Sequence, residues 1–373
     1  MEFLDTTTAK RLENRPLVMT HTKMKIAPFL ILFNIVFYCN FVSGQENQQT
    51  PSLNILWESY LGYNLNENKS FQSAHLYNHY HLQNPRINYA QIDWKKEYQD
   101  WTIQLGIHDG DYVRRNYSDQ PKWAQLISVA QLQYSPQQVK QLKITAGIFP
   151  SHIGFESAWI QNNLTLTRSL LAENSPYYES GFHAQFSGKN NRWTIGALAL
   201  TGWQQASLVS PIRKPSWGWS SNFTIKDNIQ ISYNGFFGYQ NTSGTLKRSY
   251  HNFYSNIQKG KWKSIMGFDF GQAFINQKSI LWYSPVVIFG KQINESWSAA
   301  FRLESMIDPN QFILLDEDQE IIQKSTLGLT VEFKTKNQFF FRLEGKKAIE
   351  KIEKSGIDKN TLILLSVSKA TSI

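Results

Sequence analysis

The chain contains a single cysteine, Cys39, among 373 residues. Cys39 sits in an apolar run near the N-terminus, so the remainder can form neither a disulfide nor a cysteine-based zinc site. The sequence has no glycine-rich phosphate loop, no Gly-x-Ser-x-Gly elbow and no His-Glu-x-x-His. Each of those would bring a known chemistry with it. No enzyme activity is expected, and no cofactor or metal. The formal net charge is +9. Without residues 1–44, which hold five basic and three acidic residues, it falls to +7. That excess is spread along the chain and forms no basic block, so no nucleic-acid partner is expected. There is no low-complexity segment, and no repeat beyond a hairpin unit.

What the sequence does have begins at the N-terminus. Lys23 and Lys25 precede an apolar run from Ile26 to Val42, and Val42-Ser43-Gly44 leads into Gln45. Small residues at 42 and 44 suit signal peptidase, which predicts a secretory signal over 24–44, cut before Gln45. Residues 1–23 are polar and read as an upstream extension, with Met24 as the initiator. Residues 45–373 then form the functional body.

That body is rich in Trp (12), Tyr (17) and Phe (24) yet polar overall. An apolar residue recurs at every second position through most of it, the period of a β-strand. Trp101, Ile103, Leu105 and Ile107 oppose Thr102, Gln104 and Gly106. Trp297, Ala299, Phe301 and Leu303 oppose Ser298, Ala300, Arg302 and Glu304. Leu327, Leu329, Val331 and Phe333 oppose Gly328, Thr330 and Glu332. Phe339, Phe341 and Leu343 oppose Phe340, Arg342 and Glu344. The pattern gives about 16 strands, an even number, as single-chain bacterial barrels have. Short polar turns alternate with longer connections over 65–85, 109–124, 151–180, 202–215, 240–248, 272–280, 307–322 and 346–360. A charged side chain on a lipid-facing surface costs roughly 2–4 kcal/mol for Arg or Lys at the midplane, so the charged face should look into a wet lumen. Tryptophans near strand ends (Trp57, Trp94, Trp101, Trp193, Trp203, Trp217, Trp219, Trp262, Trp282 and Trp297) suit interfacial girdles. The expected fold is all-β: a transmembrane antiparallel up-and-down barrel of about 16 strands.

Two clusters invite a metal reading. His75, His79 and His81 lie close together without a carboxylate at ligand spacing, and a polar loop accounts for them better. Asp109 and Asp111 flank Gly110, where an ordinary turn is the better reading.

The connection between the fifth and sixth strands is long and far from featureless. It carries Ile153, Phe155, Trp159, Ile160, Leu164, Leu166, Leu170 and Leu171, with Glu156, Arg168, Glu173 and Glu179 among them. Connections this long inside a folded body are functional or disordered; this one is expected to fold into the lumen, its apolar residues on the inner wall and Arg168 with the glutamates facing the water path. The run Leu142-Lys143-Ile144-Thr145-Ala146-Gly147-Ile148-Phe149-Pro150-Ser151-His152-Ile153-Gly154-Phe155-Glu156 enters it through a Gly-x-Glu turn. Thr167-Arg168-Ser169-Leu170 and Pro176-Tyr177-Tyr178-Glu179-Ser180-Gly181 follow. These segments resemble the putative β-barrel porin family of the OmpL-like type, from outer membranes of Gram-negative bacteria. The resemblance implies a channel for passive diffusion of small hydrophilic solutes. It carries over Gly154, Glu156, Arg168, Pro176 and Gly181 as architectural or pore-loop positions. The chain departs from outer-membrane barrels in ending on Ile373 rather than an aromatic residue: either the last strand is Leu362–Lys369 with a short tail, or the assembly signal is an unusual one.

The expected pore loop therefore includes Gly154, Glu156, Arg168, Glu173 and Glu179. The expected pore lining is Glu58, Asp93, Lys95, Lys143, Lys263, Asp269, Arg302, Glu304, Glu332, Arg342 and Glu344. Both signs are present, so weak selectivity leaning towards anions is expected. Expected partners are outer-membrane lipid and small hydrophilic solutes or ions, and a homo-oligomer is compatible with the sequence. Two other readings fit the same residues: a non-conducting barrel used for adhesion or scaffolding, and a secreted soluble β protein that binds glycans through its aromatics.

Overall fold

A computed structural model describes residues 50–66, 76–208, 214–240, 246–275, 278–314, 320–353 and 356–373. The expected signal and His75 lie outside them. Sixteen strands run through the described residues: β1 (Ser52–Asn64), β2 (Arg86–Tyr98), β3 (Trp101–Asp109), β4 (Ile127–Tyr134), β5 (Leu142–Pro150), β6 (Tyr178–Ser187), β7 (Trp193–Leu200), β8 (Ser216–Lys226), β9 (Ile229–Tyr239), β10 (Lys247–Lys259), β11 (Trp262–Ile275), β12 (Lys278–Gln292), β13 (Trp297–Ile307), β14 (Ile321–Lys334), β15 (Phe339–Ile352) and β16 (Gly356–Ser372). Each pairs antiparallel with its sequence neighbours, and β1 pairs with β16 to close the barrel. The closing register runs from Asn54↔Ser372 to Asn64↔Leu362. It continues through Ile373, whose amide and carbonyl both bond to Leu53. The expected short tail after Lys369 is therefore strand, because β1 supplies partners to the last residue. Closure leaves no strand edge exposed.

Alternation decides the faces as expected. On β13, Leu303 is 53% exposed while Arg302 is fully buried. Leu327, Leu329, Phe341, Leu343, Ile363 and Leu365 continue the outward apolar band on β14 to β16. An exposed band of this size in water would be a liability; against hydrocarbon it is the required surface. At the short-turn end, aromatic pairs ring the barrel: Trp101 with Tyr134, Phe186 with Trp193, and Trp297 with Phe333. Lys291 lies over Trp262 and Lys369 over Phe339, each 4.5 Å from the ring centre. Two tryptophans expected in the girdles face inward instead. Trp282 lies between outward Leu281 and Tyr283, so parity turns it into the lumen, and Trp203 packs beside it in an internal apolar cluster.

The long connections are L1 (65–85), L2 (110–126), L3 (151–177), L4 (201–215), L5 (240–246) and L7 (308–320). Two expected long loops are not loops. β11 and β12 stay paired to Ile275↔Lys278, and β15 and β16 to Ile352↔Gly356. L2 carries two short helices, α1 (Asp111–Asn116) and α2 (Lys122–Gln125), and L3 carries α3 (Leu170–Glu173). Asp111 accepts from Arg86 Nη2 at 2.6 Å and from Tyr60 at 3.1 Å. Asp109 is taken by Arg114 and the Gly110 amide, as suits a turn.

Candidate functional site: a loop seated across the lumen

L3 leaves β5 and reaches the opposite wall. Gly154 makes the inward turn with φ +93, a conformation that favours glycine. Its amide donates to Asn252 Oδ1 of β10 at 3.0 Å. Trp159 Nε1 donates to Gln91 of β2 at 2.5 Å. His152, at the start of the loop, meets Glu179 at 2.7 Å and the Gly235 carbonyl at 2.9 Å. Apolar side chains fill the remaining space. Phe155 and Leu164 pack against buried Ile265, Val286 and Ile288 with Leu171 and Ala172. The wall is small where they press: a Cβ on Gly267 would sit 2.9 Å from the Phe155 ring, and one on Gly290 3.0 Å from Leu164.

The far anchor is built from inward charges of β13 to β15. The amides of Leu166 and Thr167 donate to Glu344 Oε2 at 2.8 and 2.9 Å, and the Thr167 hydroxyl donates to Oε1. Arg302 donates to the hydroxyls of Thr165 at 2.8 Å and Thr167 at 2.6 Å. Glu304 accepts the Leu170 amide at 2.7 Å. Arg342 donates to the carbonyls of Ile160 at 2.7 Å and Asn163 at 3.0 Å. Backbone groups that a buried loop would otherwise leave unsatisfied are thus met by charged partners. Glu156 accepts from the Ser169 amide and hydroxyl, and Ser169 in turn caps α3. Burial holds the Glu156 carboxyl above its usual range despite Arg302 and Arg168 nearby. Glu173 ties L3 to L1 by accepting from the Tyr77 amide at 2.7 Å and the Asn78 side chain at 2.8 Å.

These contacts change the role expected of several charges. Glu156, Glu173, Glu179 and Arg168 were expected to face water, yet all four are buried or nearly so. The carboxylates accept from backbone or hydroxyl donors of the loops, or from His152, and Arg168 lies 4.4 Å from the Tyr177 ring centre. Among the expected lining residues, Arg302, Glu304 and Glu344 point inward but are sealed beneath L3. Glu58 is buried against His79 at 2.7 Å, and Asp269 against Asn252 and Tyr250. Lys95, at the short-turn end, pairs with Glu97, and Lys143 lies half-buried on β5. Open space borders the rest. A cleft of about 340 Å³ lies between L3 and the β1–β5 wall, bordered by Asp93, Arg168 and Tyr177. On the other side, spaces of about 260 and 430 Å³ share Lys263, and the larger also reaches Glu332 and Arg342. Towards the long loops, a vestibule of about 390 Å³ is bordered by Arg115, Arg248, Tyr177 and Phe312. Sequence reading missed Arg248 and Lys346, which it placed in loops. Continuing the inward parity through Tyr250 and Glu344 would have found both.

The family model described as "Putative beta-barrel porin-2, OmpL-like" matches residues 56–369. The chain belongs to that family. A search of curated proteins finds no match. Among solved structures, in-vitro folded OmpT of Vibrio cholerae, a trimer form, aligns with a TM-score of 0.57 at 10% identity, covering 86% of this chain and 99% of that one. The outer membrane channel DcaP of Acinetobacter baumannii aligns at 0.56 and 9% identity, covering 88% and 100%. OprB of Pseudomonas putida aligns at 0.54 and 11% identity, covering 86% and 94%. At these identities the likeness is one of fold. Family and fold together make this barrel an outer-membrane porin, and the band of exposed apolar residues sets aside the soluble glycan-binding reading.

Proposed function

We propose that solutes cross this porin beside L3, through the clefts on its two sides, and that L3 sets the bore. The observation that carries this reading is the attachment of L3 to both walls, at Gln91 and at Arg302, Arg342 and Glu344, with open clefts left on either side. The transported class is small hydrophilic solutes moving by passive diffusion. Asp93 borders one route, and Lys263, Glu332 and Arg342 the other. With both signs present, ion selectivity is weak and leans towards anions. The chain reaches the outer membrane of a Gram-negative bacterium by export on the signal over 24–44. It assembles as a homo-oligomer, as the trimeric OmpT form supports.

Planar-bilayer recording of the refolded protein tests this. The intact chain should give stepwise conductance, and deletion of residues 162–175 should raise it severalfold. A second reading, a barrel closed by its loop, is favoured by the number of buried charges spent on seating L3. In that case the intact protein is silent and only the deletion conducts. Silence in both would end the channel reading.

A further inference from the structure

Three arginines stand outside the anchor cluster, each seated on aromatic rings. Arg115 of α1 lies 3.7 Å from the Tyr80 ring centre and 5.0 Å from that of Tyr77. Arg248 of β10 lies 4.3 Å from Trp203, 5.0 Å from Trp282 and 5.4 Å from Phe312. Arg168 lies on Tyr177. Among the described residues none of the three forms an ion pair with a carboxylate, and the buried Nε of each has no hydrogen-bond partner. Arg302 and Arg342, by contrast, are both engaged by glutamates.

A guanidinium this deeply buried with no carboxylate in contact is costly unless something completes it. Arg168 is partly met by the Tyr112 hydroxyl and by Glu173 and Glu156 nearby, so the deficit falls mainly on Arg248. Arg248 is 3% exposed and Arg168 6%. Both border open space, Arg248 in the vestibule and Arg168 in the cleft below it. The spaces lie side by side. A surface cleft of about 450 Å³ shares Tyr77 and Arg115 with the vestibule. The vestibule shares Tyr177 with the inner cleft. Two carboxylates border the vestibule. Glu173 is spent on L1, and Asp119 is exposed at its rim. Side-chain amides also line it: Gln204 is held by the Asn116 carbonyl and the Tyr177 amide and Asn174 donates to the Leu170 carbonyl, whereas the buried Oε1 of Gln240 has no partner and Gln205 stands beside them.

We propose that the vestibule is a binding site for hydroxylated organic anions, acidic saccharides in particular. The carboxylate completes Arg248, the ring lies against Tyr177 and Phe312, and the amides of Gln205 and Gln240 take the hydroxyls. Aromatic faces beside a few convergent polar groups are the usual make-up of a ligand pocket, and a guanidinium on aromatic rings keeps its donors free for a carboxylate. Arg115 receives the anion before this point and Arg168 after it. Delivery onward rests on the channel reading; binding does not.

The test titrates sodium glucuronate against the tryptophan fluorescence of the refolded chain, since Trp203 and Trp282 flank Arg248. Glucose and sodium phosphate, at matched ionic strength, are the comparisons. Glucuronate should give a saturable change, with glucose at least about 10-fold weaker, the scale of one charged hydrogen bond. Arg248→Gln should weaken glucuronate about 10-fold and Arg115→Gln about 3-fold, with heat-modifiable mobility confirming that each variant folds. Should Arg248→Gln not fold, Arg115→Gln carries the comparison. Equal binding of glucose and glucuronate overturns the proposal, as does phosphate binding as tightly as glucuronate. Unchanged affinity in the variants overturns it too. Bilayer recording separates the two readings: conductance without a fluorescence change rejects the site alone, and a saturable change without conductance rejects the channel alone.

Discussion

Glu344→Gln should unseat L3. The side chains are isosteric, so packing is preserved and the change falls on hydrogen bonding. Glu344 Oε2 accepts from Leu166, Thr167 and the Thr330 hydroxyl, the last at 2.8 Å, while Oε1 accepts from the Thr167 hydroxyl and faces Arg302 at 3.4 Å. A glutamine can place its carbonyl on only one side. Its amide then confronts either two backbone N–H groups or a guanidinium. Breaking a buried pair of this kind costs about 3 kcal/mol or more, which raises the undocked fraction of L3 about 100-fold at 1.4 kcal/mol per decade. Trypsin reads that fraction directly, because Arg168 is the only lysine or arginine between Ser151 and Ser180, and cleavage tracks the open population when reclosing is fast. Nicking after Arg168 should therefore accelerate by roughly two orders of magnitude, and bilayer recordings should show a larger, noisier open level. Glu97→Gln, at an exposed pair with Lys95, should change neither, since such pairs contribute about 1 kcal/mol or less. Equal nicking rates in Glu344→Gln and the native chain would refute the anchoring role.

Burial alone would lower the His152 pKa, but Glu179 and the Gly235 carbonyl outweigh it and hold it above the ordinary 6.5. A raised value means this clamp is complete below about pH 6.5 and is lost as pH rises through the folded-state value. Channel noise should thus grow as the pH is raised above 6.5, and His152→Gln should flatten that dependence. Gly267→Val should push Phe155 off the wall, cost about 1–3 kcal/mol by overpacking, and raise conductance as a smaller version of the loop deletion. Arg168→Glu should move the reversal potential in a salt gradient more than Lys247→Glu does, because Arg168 borders the inner cleft and Lys247 is exposed on the rim; equal shifts would mean that L3 only caps the barrel.

The barrel was legible because a strand with lipid on one side and a wet interior on the other writes its period into the sequence. Arg302 beside Phe301 and Leu303 needs no structure to be turned inward. The rule fails where strands rise past the membrane. On β15, Lys347 and Lys351 face outward while Lys346 and Glu350 face inward, so both faces are charged and the segment reads as loop. Parity also says which way a side chain points without saying what it meets. Glu344 was correctly turned to the lumen, but its partners at Leu166 and Thr167 lie 178 and 177 residues away in sequence. No local pattern encodes that pairing. Arg168 and Glu156 were legible as members of an inserted loop, whereas their burial depends on walls that come from distant strands.

The seating of L3 also constrains the order in which the barrel is assembled. The loop emerges after β5, but the groups of its far anchor belong to β13 and β15, with sequence separations from 134 to 182 residues. Contacts so distant form late, after the intervening strands have been ordered. A barrel halted before β13 would carry L3 unseated, with its backbone donors unmet and a lumen open where the finished channel is narrow. The C-terminal strands therefore do more than complete the wall: their arrival supplies the partners that seat L3 across the lumen.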